Sequence, residues 1–220
     1  MGRVSLGRGR ALAAGLVAAL AAVLAVALPA TAAAADCPAT ELIFARGRLE
    51  PAGAGQIGNA LASALRAKGE NVSLYAVDYP ANTEVDLGAN DMSQRVQQTM
   101  ANCPDTRIVL GGYSLGAAVT DVVLAVPLSF FTFKKPLPPN ASDHIAAVAL
   151  FGNGIQWVGP ISAFNPVYRD RTIELCHGDD PICNPTDPEN WESYWPDHLA
   201  PAYISAGMVN QAADFVAGRL

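Results

Sequence analysis

The sequence predicts an α/β fold in which helices cover both faces of a mostly parallel sheet, a three-layer sandwich. Three observations carry that expectation. Short apolar, β-rich segments recur along the chain, stretches with apolar residues at helical spacing lie between them, and one strand-like segment runs directly into a Gly-x-Ser-x-Gly turn and a helical pattern. The strands are expected at Leu42 to Ala45, Val72 to Val77, Ile108 to Leu110, Ile145 to Phe151 and Thr172 to Leu175. Between the first two, Ile57, Leu61, Ala64 and Leu65 form one helical stripe; Met92, Val96 and Met100 form the next. A third helix follows Ser114 through Ala117, Ala118 and Val122. A last one is expected from about Pro201 to Ala217, with Ile204, Met208, Ala212 and Phe215 on one face. Strand and helix in alternation imply parallel pairing, because parallel strands need a crossover connection.

Ahead of this pattern, Arg3, Arg8 and Arg10 precede an uncharged Ala, Val and Leu run from Ala11 to Ala35 that ends in small residues. That arrangement reads as a secretory signal peptide over residues 1–35, cut before Asp36; the competing reading is a retained membrane anchor. Cleavage would remove three Arg and no acid, taking the formal charge from −6 to −9. Taken as a whole, such an acidic chain is a poor electrostatic partner for nucleic acid or an anionic membrane. The remaining residues, 36–220, suffice for one domain with a real core. Its four cysteines, Cys37, Cys103, Cys176 and Cys183, suit disulfides in an exported protein. Their spacing, with three ungrouped His, argues against a metal site.

In an open parallel sheet, chemistry is expected just beyond the carboxyl ends of the strands. Arg46 to Gly55, Gly111 to Gly116 and Cys176 to Asp187 are the loops that qualify. The stretch Gly112-Tyr-Ser114-Leu-Gly116 has the pattern of a nucleophile elbow. Small flanking residues let strand and helix backbones approach, leaving the Ser hydroxyl at a helix N-terminus that favours developing negative charge. A Ser hydroxyl needs a base, and only His144, His177 and His198 are available. In the chain order Ser, acid, His, the favoured base is His198. His177 is the alternative, and His144 precedes a strand at the end expected to lie opposite the site. The acid that orients the imidazole is one of Asp179, Asp180, Asp187 or Asp197.

Together with Phe44-Ala-Arg-Gly47, Cys176-His-Gly-Asp-Asp180-Pro-Ile-Cys183 and His198-Leu-x-x-x-Tyr203, this stretch resembles the cutinase family, including its actinobacterial esterases, over nearly the whole chain after residue 35. The resemblance implies a small, lidless α/β-hydrolase with about five parallel strands. It implies Ser114 as nucleophile, Asp180 as acid, His198 as base, and disulfides Cys37 with Cys103 and Cys176 with Cys183. It further implies an oxyanion hole from the backbone N–H groups of Arg48 and Leu115. No metal or organic cofactor enters such a mechanism. The sequence departs from the family pattern in three places. Arg48 stands where a Ser or Thr hydroxyl donor is common, Leu115 replaces a Gln found in fungal members, and Asp179 replaces a loop Gly beside the acid.

The expectation is therefore a secreted, monomeric carboxylic ester hydrolase acting on short to medium acyl esters or lipids. An acyltransferase on the same scaffold and a non-catalytic surface binding protein are the alternatives. Val126 to Phe133, Ile155 to Val158 and Pro160 to Phe164 are unusually apolar for loops. They are expected to line an acyl groove, meet a lipid surface, or pack beneath the loops.

Overall fold

A computed structural model of the protein describes residues 1–2, 37–157, 159–184 and 187–220. The expected signal segment and its cut before Asp36 lie outside these residues, as does Val158. The chain divides into two compact units, Met1–Ala34 and Ala35–Leu220. Every described strand, helix and disulfide belongs to the second.

In that unit β1 (Thr40–Ala45), α1 (Gly55–Ala67), β2 (Val72–Ala76), α2 (Val85–Asn102), β3 (Arg107–Tyr113), α3 (Leu115–Ala125), β4 (Ile145–Phe151), α4 (Ile161–Phe164) and β5 (Thr172–Leu175) follow in order. Three helices close the chain, α5 (Trp191–His198), α6 (Ala200–Ser205) and α7 (Met208–Ala217). The five strands form one parallel sheet in the order β2-β1-β3-β4-β5. The order reverses between β1 and β3, so the connections leaving these neighbours diverge to opposite faces and open a crevice at their carboxyl ends.

Alternation along the strands feeds two cores. Leu42 and Phe44 of β1 pack with Ile57, Leu61 and Val216 on the face covered by α1 and α7; Ile43 and Ala45 pack with Met92, Val96 and Val119 beneath α2 and α3. The interior strand β4 is buried throughout, so its near-continuous apolar run is what a strand covered on both faces requires.

Three expectations need correction. β1 begins at Thr40 and buries Glu41, which the apolar run does not include; Arg95 Nε donates to Glu41 Oε1 at 3.0 Å and the Thr99 hydroxyl donates to Oε2. β3 extends past Leu110 through both glycines, because the Phe44 ring occupies the space a Gly111 side chain would need. The expected last helix is broken: Gly207, at φ 75°, separates α6 from α7 and leaves Ile204 exposed. The buried face of α7 is accordingly Val209, Ala212, Ala213 and Val216. Among the described residues no helix is long and apolar enough to cross a membrane.

Candidate active site

The turn between β3 and α3 sets the geometry. Ser114 sits at φ 54°, ψ −117°, a conformation that costs a non-glycine residue energy and persists only where its surroundings enforce it. They do so by close packing. A Cβ on Gly112 would lie 2.1 Å from the Gly116 carbonyl oxygen, and one on Gly116 would lie 2.0 Å from that of Ala45. The Ser114 N–H donates to the Phe151 carbonyl at 2.8 Å, fastening the turn to the end of β4. The hydroxyl is thereby held, half-buried, at the mouth of the β1/β3 crevice.

Two other segments converge on it. His198, the last residue of α5, is buried, with Nε2 2.9 Å from Ser114 Oγ. Its Nδ1 lies 2.7 Å from Asp180 Oδ2, so Nδ1 carries the proton toward the carboxylate and Nε2 faces the hydroxyl. Asp180 is fully buried in the loop closed by the Cys176–Cys183 disulfide. Its Oδ2 also accepts the Tyr203 hydroxyl, and its Oδ1 accepts the Ile182 N–H at 2.8 Å. Burial pushes the Asp180 carboxyl up, but hydrogen bonds from His198 and Tyr203, the charge of His198 and the Ile182 N–H outweigh it and hold the group below the ordinary aspartate value. The carboxylate therefore stays ionised while buried.

The imidazole is fixed on its other sides as well. Tyr113 stacks on it at 5.4 Å between centroids and donates its hydroxyl to the His198 carbonyl, while Trp195 covers it at 4.9 Å. These tyrosines lie within the quoted motifs, but their roles are not legible there. The signal that could have found them is that a buried phenol must find an acceptor.

The loop after β1 brings Arg48 to the same cleft as Leu115. Neither backbone N–H has a partner among the described hydrogen bonds, that of Leu115 because it opens a helix. The loop is held by a residue that sequence reasoning missed. Glu50 accepts the Gly47 N–H on Oε2 at 2.7 Å and the Gln56 N–H on Oε1 at 2.9 Å. Buried Arg46 reinforces it, donating to the carbonyls of Glu50 at 2.9 Å and Tyr79 at 2.6 Å.

The remaining candidates do not join this group. His177 Nδ1 lies 3.5 Å from Asp197, which also accepts the Asp179 N–H at 2.9 Å. Asp187 accepts the Asn190 side chain at 2.9 Å, and His144 sits at the start of β4. Asp179 itself is exposed and is not among the groups that shift Asp180. Both disulfides form in the expected pairing.

The cleft over Ser114 has a volume of about 830 Å³ and is walled largely by apolar side chains, among them Leu115, Ile155, Ile182, Trp195 and Leu199. Of the apolar loops, Ile155 reaches this cleft. Ile161 and Phe164 line a neighbouring cavity of about 300 Å³ beside Asp121, and Phe130 and Phe131 stand in solvent.

A Ser, His and Asp in hydrogen-bonded sequence at the carboxyl end of such a sheet define an α/β-hydrolase of the serine type. Comparison with known proteins gives the family. The cutinase family model matches residues 36–220. The Mycobacterium tuberculosis protein named "Probable carboxylesterase Culp2" is 66% identical over 193 residues, covering 87% of this chain and 83% of the relative. "Phospholipase Culp4" of the same species is 46% identical over 226 residues, covering 100% and 96%. Among solved structures, a Trichoderma reesei cutinase in complex with a phosphonate inhibitor superposes with a TM-score of 0.58 at 26% identity, covering 83% of this chain and 76% of that one. The chain belongs to the cutinase family.

Proposed function

We propose that this cutinase-like carboxylic ester hydrolase works through an acyl-enzyme on Ser114, with His198 as general base and acid and Asp180 as its orienting carboxylate. The observation that carries the reading is the continuous hydrogen-bonded line Ser114 Oγ, His198 Nε2, His198 Nδ1, Asp180 Oδ2, at 2.9 and 2.7 Å. Nε2 takes the hydroxyl proton as Oγ bonds to the ester carbonyl carbon. The carbonyl electrons move onto oxygen, where the N–H groups of Arg48 and Leu115 receive the charge. The tetrahedral intermediate collapses, the C–O bond to the alcohol breaks, and the proton on Nε2 passes to the departing alkoxide. Water then repeats the sequence on the acyl-enzyme and releases the acid. Asp180 stays ionised and stabilises the imidazolium.

The apolar walls of the cleft suit short to medium acyl chains or lipid esters. Export fits the two disulfides, which persist in oxidising compartments, with residues 1–35 serving as the signal peptide. Each group in the mechanism comes from one chain, so a monomer suffices. The test is hydrolysis of p-nitrophenyl esters of increasing chain length by the protein and by Ser114→Ala. Ser114-dependent turnover with a chain-length optimum is expected. Equal background rates for both proteins would overturn the reading, and turnover that requires an added alcohol would make the enzyme an acyltransferase.

A further inference from the structure

The segment between α3 and β4 concentrates exposed apolar side chains. Leu128, Phe130 and Phe131 are 73%, 60% and 78% exposed. Phe130 and Phe133 exchange backbone hydrogen bonds at 3.0 and 2.9 Å, making a tight two-residue turn with Phe131 and Thr132 at its tip. Phe131 sits at φ 46°, a left-handed conformation that a bulky side chain rarely adopts. The two exposed rings meet edge to face at 4.3 Å.

This is not a loose loop. Phe133 is buried in the core under α2 and α3, and Asn90 of α2 clamps the turn from below. The Asn90 amide donates to the Thr132 carbonyl at 2.8 Å, and its oxygen accepts the Lys134 and Lys135 N–H groups at 2.8 and 3.1 Å. The Ser93 hydroxyl donates to the Lys135 carbonyl. The fold thus spends specific hydrogen bonds on holding two phenylalanines out in water, where they gain nothing for stability.

The charge pattern behind the tip names the surface it fits. The chain has three lysines, and two of them, Lys134 and Lys135, directly follow the turn in a protein of formal charge −6. Both are exposed. Aromatic side chains at a tip with ammonium groups one step behind them match the acyl boundary and anionic headgroups of a membrane. Three apolar side chains are too few for a stable protein interface, which covers about 800 Å² on each partner. The hairpin also connects to the active-site flank. Leu49, 79% exposed beside Arg48, donates its N–H to Ala81 just before α2, the helix whose Asn90 holds the turn.

We propose that the Phe130–Phe133 hairpin is a preformed wedge that seats the protein on an anionic phospholipid surface, Phe130 and Phe131 entering the interface and Lys134 and Lys135 meeting the headgroups. The proposal deepens the ester-hydrolase reading by naming the surface from which lipid esters would be drawn.

The experiment is flotation of purified protein with vesicles of phosphatidylcholine, with and without phosphatidylglycerol, in a Ser114→Ala background so that lipid is not consumed. All proteins share one N-terminus, so differences report only the hairpin. Replacing Phe130→Ser and Phe131→Ser together is expected to weaken binding to both vesicles by about tenfold or more. Replacing Lys134→Gln and Lys135→Gln is expected to abolish the preference for phosphatidylglycerol while sparing binding to phosphatidylcholine. Unchanged flotation of the Phe double variant would overturn the proposal. So would a parent dimer, seen by ultracentrifugation, that the same variant dissolves, since the hairpin would then face a second copy. The same hairpin substitutions in the Ser114 background report on the fold and the site, because turnover of a soluble p-nitrophenyl ester should not change. Absence of Ser114-dependent turnover would sink the hydrolase reading alone, with the flotation result still deciding the hairpin.

Discussion

Asp180 is a buried charge whose oxygens are each hydrogen-bonded, and Tyr203 supplies one of those bonds. Tyr203→Phe is expected to cost about 1–2 kcal/mol of local stabilisation. The folded-state pKa of Asp180 is depressed, so losing a donor raises it, and the low-pH edge of activity moves upward. kcat should fall by roughly tenfold with KM unchanged, the mark of a residue acting through the base. The pH profile separates this role from a packing defect, which would lower activity at every pH. Arg48 offers a complementary change. Arg48→Ser adds a hydroxyl next to the backbone donor, and kcat on a soluble ester should rise by roughly tenfold at constant KM, read by steady-state kinetics. At this scale the sequence is partly transparent. Ser114, Asp180 and His198, the proposed nucleophile, acid and base, are legible because such groups have few substitutes and sit in short motifs. Glu50 is not, because a carboxylate that accepts two backbone N–H groups leaves no spacing pattern.

The elements differ in how firmly they are tied. The Cys176–Cys183 bridge closes a short ring and the Cys37–Cys103 bridge a long one, with sequence separations of 7 and 66. In the chain-entropy model they contribute about 2.5 and about 4 kcal/mol respectively. Removing the long bridge with Cys37→Ser and Cys103→Ser should lower the melting temperature more, with kcat retained below the transition. Removing the short one with Cys176→Ser and Cys183→Ser should cost activity out of proportion to stability, because the loop carrying Asp180 loses its closure. Thermal melts and kinetics on the same samples decide. The strands and first three helices are legible because their apolar periodicity coincides with burial. The C-terminal helices are not. One apolar stripe runs through Ile204 and Met208, and Gly207 breaks the helix between them without interrupting the pattern.

At the scale of the molecule, a buried carboxyl among the described residues works against stability. Asp121 of α3 is 5% exposed, and among the described residues neither carboxylate oxygen has a partner at full hydrogen-bond geometry. Burial pushes its pKa up from 3.8 to about 7, opposed by the neighbouring Asn153 amide and helped by the charge of Glu174. A carboxyl whose folded pKa is raised stabilises the fold fully below its unfolded value. That contribution is lost as pH rises from about 4 through about 7, at about 1.4 kcal/mol per pH unit. Asp121→Asn should therefore raise the melting temperature at pH 8, by up to a few kcal/mol in stability, and flatten the pH dependence between 5 and 8. Calorimetry across that range tests it, and an unchanged slope would refute it. Nothing in the helical pattern of α3 marks Asp121 as buried, since a lone acid in an apolar helix reads as a residue on its solvent face.

His198 follows Ser114 by 84 residues and Asp180 by 18, and it closes α5, the first of three short helices that come after the Asp180 loop. A growing polypeptide holds Ser114 and even Asp180 long before it holds a base to connect them. The loop that presents Asp180 closes only where thiols are oxidised. On the proposed roles, synthesis and oxidation are themselves a safety catch: the hydrolase is inert toward any ester it meets before its base has docked and the Asp180 loop has closed.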